Sequence, residues 1–153
     1  MPDLDSNSYM KIAMDEARAA AARDEVPIGA VLVDSGTGEI VARNGNRTIE
    51  FSDPTAHAEI LVIREACSMV GKQRIPHCDL YVTLEPCTLC VGAIAFARIG
   101  KLVFAASDEK GGAVTNGVRF FDQPTCHHKI TIGQSVMANE SSFLLKEYFK
   151  SKR

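Results

Sequence analysis

Two segments, His57-Ala58-Glu59 and Pro86-Cys87-Thr88-Leu89-Cys90, most constrain how this 153-residue chain can fold. One histidine and two cysteines act as a metal-ligand set only if the fold carries both segments to one point. They supply three protein ligands, one short of a closed tetrahedral structural site. A catalytic zinc keeps that fourth position open for water. Glu59, beside the histidine, is a ready proton carrier.

The spacing makes further demands. Cys87 and Cys90 are three apart, so on a helix they share a face. Pro86 suits a first helical position, and a helix is predicted from Cys87 to about Ala97. The free N–H groups and positive dipole end of a helix N-terminus favour thiolates. His57 follows Pro54 and Thr55, at the start of a second helix expected over about Thr55 to Val70 and closed by Gly71. In mid-helix, His57 and Glu59 would point about 200° apart. They serve one site only if the metal lies at the helix end, so two helix N-termini should converge on one zinc. Two thiolates and a neutral imidazole leave that zinc without net charge and a weaker Lewis acid than a three-histidine site would hold. A carboxylate to take the water proton becomes more useful.

A lone C-x-x-C also fits half of a closed structural zinc site. The fourth ligand would then come from Cys67, Cys78, Cys126, His127 or His128. The H-x-E partner, the proline before Cys87 and the intervening strand favour the catalytic reading, since H-x-E…P-C-x-x-C is the pattern of zinc nucleobase deaminases. Cys67 and Cys78 read as small buried hydrophobes. His77 reads as a loop histidine. His127 and His128 read as loop or surface residues, with contact to substrate as the alternative. Glu85 reads as a structural acceptor.

Length fits one domain, residues 1–153, with a core over about 8–133 and a C-terminal helix over about 138–150. With 46% hydrophobic and 24% charged residues, the chain has the balance of a soluble globular protein. No apolar run approaches the ~18 residues of a membrane span. The acidic start, Met1-Pro2-Asp3-Leu4-Asp5, lacks the features of a signal peptide. Five cysteines, an odd count with two in C-x-x-C, fit a reduced cytoplasmic setting. Periodicity predicts a helix from about Ser8 to Arg23, strands at Pro27–Val33 and from Ile40, a strand at Leu80–Thr83, and another at Leu102–Ala105. A long loop, Ser107 to Thr125, precedes a short strand at Lys129–Ile132 and a last helix from Ala138 to Lys150. That order implies a mixed sheet covered by helices.

Together these motifs resemble the cytidine deaminase superfamily, and within it the bacterial tRNA-specific adenosine deaminases of the TadA type. The likeness runs through Asp24–Val31, Asn44-Gly45-Asn46-Arg47, Asp53–Glu59, Tyr81–Cys90, Ala97-Arg98-Ile99, the loop Asp108–Ala113 and the basic, aromatic last helix. It implies a three-layer α-β-α fold, with a mixed five-stranded sheet and helices on both faces. It also implies a homodimer and hydrolytic deamination of adenosine to inosine at the wobble position of a tRNA anticodon. It assigns zinc ligation to His57, Cys87 and Cys90, proton transfer to Glu59, base recognition to Asn46 and a substrate contact to Asp108. A deaminase of free guanine or cytosine, or a non-catalytic zinc module that binds RNA, are the rival readings.

A net charge of -2 requires any RNA to be held by a local basic patch. Lys146, Lys150, Lys152 and Arg153, with Tyr148 and Phe149 among them, form the densest one. They combine charge for phosphates with aromatics for stacking. A solvated terminal helix packing its aromatics on the core is the alternative; a second candidate surface is Arg47, Arg119 and Lys129.

Overall fold

The structure, a computed structural model, describes residues 5–134 and 137–152. Its elements are α1 (Ser6–Ala22), β1 (Gly29–Asp34), β2 (Ile40–Gly45), α2 (Ala58–Val70), β3 (Cys78–Leu84), α3 (Thr88–Phe96), β4 (Lys101–Ala106), β5 (Thr131–Gln134) and α4 (Ala138–Ser151). One 3-10 turn, Phe120–Asp122, interrupts the loop after β4.

The strands form one sheet in the order β2-β1-β3-β4-β5. β1 pairs antiparallel with both β2 and β3, while β3–β4 and β4–β5 are parallel. The sheet is therefore mixed. Its central strands are apolar on both faces, as a sheet covered on both sides requires. Ala30 and Leu32 of β1, Leu80 and Val82 of β3, and Leu102 and Phe104 of β4 join one core with Val62, Ala66, Val91 and Ile94 of α2 and α3. The alternate residues, Val31, Val33, Tyr81, Val103 and Ala105, pack with Tyr9, Met10 and Ala13 of α1. Period-two alternation thus sorts the chain into three layers, with α1 and α4 on one face and α2 and α3 on the other.

The boundaries differ from expectation where side chains act on the backbone. α1 begins two residues early, because Asp5 caps it by accepting from the Ser8 N–H. β2 runs on to Gly45, which pairs with Gly29. Gly71 ends α2 in the left-handed conformation, as the sequence indicates. α3 starts at Thr88 with Cys87 as its N-cap, so Pro86 stands before the cap and not at the first helical position. β5 lies two residues later than expected, in register with Lys101–Phe104 of β4. Among the described residues, no helix is long and apolar enough to cross a membrane.

Candidate active site

One end of the sheet gathers Asn46, His57, Glu59, Cys87, Cys90 and Asp108. β2, β3 and β4 all run toward this end, and the chain leaves them through Asn46, Glu85 and Asp108 respectively. Crevices beyond the carboxyl ends of strands are where open α/β sheets bind ligands. A cavity of about 120 Å³ opens there, lined by Asn46, His57, Glu59, Glu85, Cys87 and Asp108, with Ile28, Leu84 and Gly111 completing the wall.

Two helices point their N-termini into it. His57 is the N-cap of α2 and Cys87 the N-cap of α3, both in extended backbone. Cys90 is three residues on and fully buried. The ligand atoms of His57, Cys87 and Cys90 all lie within 4.8 Å of one another. His57 Nδ1 faces both sulfurs, 3.6 Å from Cys87 Sγ and 3.4 Å from Cys90 Sγ. A tetrahedral ion about 2.3 Å from sulfur and about 2.0 Å from nitrogen requires sulfur–nitrogen separations of roughly 3.5 Å. The donors are thus spaced, as well as chosen, for such an ion. Among the described residues, Cys67, Cys78, Cys126, His127 and His128 do not join the group, so the fourth protein ligand that the alternative, a closed site, requires is not found there.

The electrostatics fit. A hydrogen bond from Cys90, reinforced by His57, pushes the Cys87 thiol down to about 4. The shared proton pushes Cys90 up correspondingly. His57 is raised, chiefly by its hydrogen bond with Cys87, with the negative charge of Glu59 acting in the same direction against burial.

Glu59 occupies the first turn of α2 and is only 4% exposed. Burial pushes its carboxyl up to about 7, against the pull of its own backbone N–H. Because His57 stands outside the helix as its cap, the expected 200° divergence from Glu59 does not arise. The carboxyl lies against Cys87 and Cys90 without belonging to the donor group.

Asn46 is buried and holds the same helix end. Its Oδ1 accepts from the Ala58 N–H at 2.8 Å, the first N–H of α2. One lone pair of the amide oxygen is thereby engaged, which fixes the orientation of the side chain and leaves Nδ2 free, among the described residues, to donate to a ligand. Asp108 stands half-buried at the rim. Its Oδ1 accepts from the N–H groups of Lys110 and Gly111, shaping the loop that bears it.

Two buried carboxylates support these loops. Glu85 accepts from the backbones of Asp108, Val114, Thr115 and Asn116 and from the Thr115 and Asn116 side chains. Burial works to raise its carboxyl, but these donors hold it below the usual range. It is the structural acceptor the sequence indicates. Glu25, which sequence reasoning passed over, does the same for the segment after Asn46, taking the N–H groups of Ile49 and Glu50 and the Thr48 hydroxyl. Its only signal was an acid set immediately before an apolar strand.

The remaining candidates divide. In α4, Lys146, Phe149 and Lys150 are exposed. Tyr148 donates its hydroxyl to the Asp24 carbonyl, and Lys152 pairs with the Asp24 carboxylate. Arg153 lies outside the described residues. His128 meets the Ile99 carbonyl at 2.6 Å, a satisfied loop histidine. Burial pushes the Cys78 thiol up to about 11, and it packs as a core hydrophobe.

A helix-covered mixed sheet with this donor set and a buried glutamate at one edge defines a cytidine deaminase-like α/β protein. The family model of MafB19-like deaminases matches residues 4–153. A tRNA-specific adenosine deaminase of Agrobacterium fabrum is 57% identical over 145 residues, 95% of this chain and 94% of that protein. A solved structure from studies of A-to-I editing by tRNA:A34 deaminases at the wobble position of transfer RNA is also 57% identical, with a TM-score of 0.88 over 91% of this chain and 99% of its own. A guanine deaminase of Bacillus subtilis is more distant, 29% identical with a TM-score of 0.67 over 97% of this chain and 95% of its own. The chain belongs to the MafB19-like deaminases and, within the cytidine deaminase superfamily, is of the TadA type.

If His57, Cys87 and Cys90 hold the metal, Cys87→Ala should lose metal and stability together. A ligand present at 100 times its Kd stabilises the folded state by roughly 2.7 kcal/mol. Metal analysis and thermal melts of the purified variant check this; full metal occupancy in Cys87→Ala rules the assignment out.

Proposed function

We propose that the protein converts adenosine to inosine at the wobble position of a tRNA anticodon by hydrolytic deamination. The observation that carries this reading is the full-length 57% identity to a tRNA-specific adenosine deaminase. His57, Glu59 and Cys87 at one cavity, with the buried Cys90 in the same donor group, are its chemical complement. An anticodon loop is a sensible substrate, because its unpaired bases need little unstacking to enter a pocket.

His57, Cys87 and Cys90 would hold a zinc ion, which when bound supplies Lewis-acid activation of water. The chain's own groups do the rest. Glu59 takes the proton of the attacking water and delivers it to the ring nitrogen beside C6. It then assists the amino group, which leaves as ammonia while the C6 oxygen is retained. Asn46 donates from Nδ2 to the base edge, its orientation fixed through Oδ1. Asp108 contacts the nucleotide at the rim. Removing water from the cavity strengthens each of these polar contacts.

The direct test incubates metal-loaded protein with an anticodon stem-loop carrying a wobble adenosine and, separately, with free bases and nucleosides. Inosine in the stem-loop alone is expected. Xanthine from guanine with an untouched stem-loop would favour the rival reading that the guanine deaminase likeness supports. Glu59→Gln should keep metal and fold yet lose at least about 100-fold in turnover, the usual scale of a general acid–base group. Asn46→Asp should preserve the helix-capping acceptor and still lose activity, because the donor is gone. Wild-type turnover in either variant removes that residue from the mechanism.

RNA contacts are assigned to the terminal helix. Tyr148 and Lys152 are engaged with Asp24, so Lys146, Phe149 and Lys150 are the groups of α4 presented to a partner. Arg153 stays in the proposal as the end of the same basic patch. Lys146→Gln with Lys150→Gln should weaken stem-loop binding and lower its log–log salt slope by about 1.5, two phosphate contacts' worth. Identical slopes would move the RNA surface to Arg47, Arg119 and Lys129.

A homodimer completes the reading, in a cytoplasmic setting. Leu89, Gly92, Ala93 and Phe96 follow one another at helical spacing on α3, and Phe96 is 78% exposed. A second copy is the partner that would cover this stripe. Phe96→Glu should convert dimer to monomer in analytical ultracentrifugation; an unchanged sedimentation coefficient would place the interface elsewhere.

A further inference from the structure

We propose that Glu85 is a positioning residue for substrate, acting through the loop from Asp108 to Asn116. This deepens the deaminase reading and rests on it. Glu85 lies beyond the end of β3, immediately before the segment that supplies Cys87, and lines the same cavity as Asp108 and Gly111. Its side chain is only 2% exposed.

Six donors converge on that carboxylate. Oε1 takes the Asp108 N–H at 3.1 Å, the Thr115 hydroxyl at 3.1 Å and the Asn116 amide at 2.8 Å. Oε2 takes the N–H groups of Val114, Thr115 and Asn116 at 3.0, 3.0 and 3.1 Å. A carboxylate offers about four lone-pair sites, so both oxygens are saturated. Nothing is left for a substrate or a proton in transit, and Glu85 is not a second catalytic acid.

What it does is substitute for a strand partner. The loop after β4 has no regular ladder over these residues, yet its buried N–H groups must be satisfied. The loop also closes tightly on the carboxylate: a Cβ on Gly112 would stand 2.4 Å from Glu85 Cδ. The Ala113 N–H adds one bond to the Pro86 carbonyl. Asp108 enters the loop at one anchored N–H, and Gly111 is held between the two anchored ends. The position of the cavity's outer wall is therefore set from Glu85.

Only an acceptor-only group fits. Glu85→Gln is isosteric but turns an NH2 group toward converging donors, leaving buried N–H groups without partners. The metal donors do not touch this carboxylate, so the loop should loosen while the donor group stays formed.

The experiment uses the full-length, zinc-loaded protein well below its melting temperature, comparing wild type, Glu85→Gln, Thr115→Val and Asn116→Ala. Amide hydrogen exchange at residues 108 and 114–116 is measured beside KM and kcat per bound zinc on the stem-loop. Glu85→Gln should speed exchange at those amides, leave α2 and α3 protected, and raise KM about tenfold with a smaller change in kcat. Thr115→Val and Asn116→Ala, each lacking one side-chain donor, should move both readouts in the same direction by less. A purely structural role would lower the melting temperature and leave KM alone, which overturns the proposal. So does a collapse of kcat at constant KM and unchanged exchange, which would make Glu85 a reacting group. If Glu85→Gln does not fold, the two single-donor variants decide: faster exchange at wild-type KM refutes positioning. If wild type leaves the stem-loop untouched, the adenosine reading falls by itself, and KM on the base or nucleoside it does deaminate decides the role of Glu85.

Discussion

Everything at the reactive end of this molecule depends on two helix N-termini facing each other across the sheet edge. A helix start carries unpaired N–H groups and a positive field. Here the caps, His57 and Cys87, are themselves the chemistry-bearing residues: the His57 ring makes no capping bond to its own helix, and the Cys87 sulfur meets Cys90 one turn on. The Asn46 amide instead caps α2 from another segment. That arrangement frees the imidazole and the thiolate to face a common point. It also explains how Glu59, two residues past His57, shares the site: the cap residue lies off the helix, and the first turn lies on it.

Around that centre, irregular segments are held by buried carboxylates where strands would use ladders. Glu25 and Glu85 perform the same task for two segments, the one that follows Asn46 and the one that follows Asp108. Each is nearly inaccessible, at 1% and 2% exposure, and each gathers backbone N–H groups from a loop that lines the pocket. Burying a polar or charged group is costly unless it is hydrogen-bonded; Glu85 takes six donors and Glu25 three. Loops anchored this way keep defined positions without regular structure, which suits segments that must meet a ligand of fixed shape.

The legible part of the sequence was the part governed by period and punctuation. Near-continuous apolar runs in β1, β3 and β4 announced strands buried on both faces. Gly71 announced the end of α2, and the H-x-E and P-C-x-x-C spacings announced converging helix starts. The one-residue questions were not legible. Whether Cys87 caps α3 or begins it turns on backbone torsions that no residue type dictates. Long-range side-chain bonds were hidden for a different reason. Nothing local marks Glu25 as a loop anchor, and nothing in the run of charges from Lys146 to Arg153 says that Lys152 will meet Asp24, far back in the chain. Composition located the patch; tertiary contact decides which members of it are free.

That last contact ties the outer helix to the reactive end. Asp24 takes up a left-handed conformation, with φ of 68°, between Arg23 and Glu25. Arg23 donates to the Asn46 carbonyl and Glu25 holds the turn that follows Asn46. Tyr148 and Lys152 grip Asp24 from α4. Three consecutive residues thus connect the basic terminal helix to the segment whose amide faces the cavity. The net charge of -2 makes this economical: the acid that anchors α4 also neutralises one of its lysines. Lys146 and Lys150, exposed on the same helix, make no ion pair among the described residues.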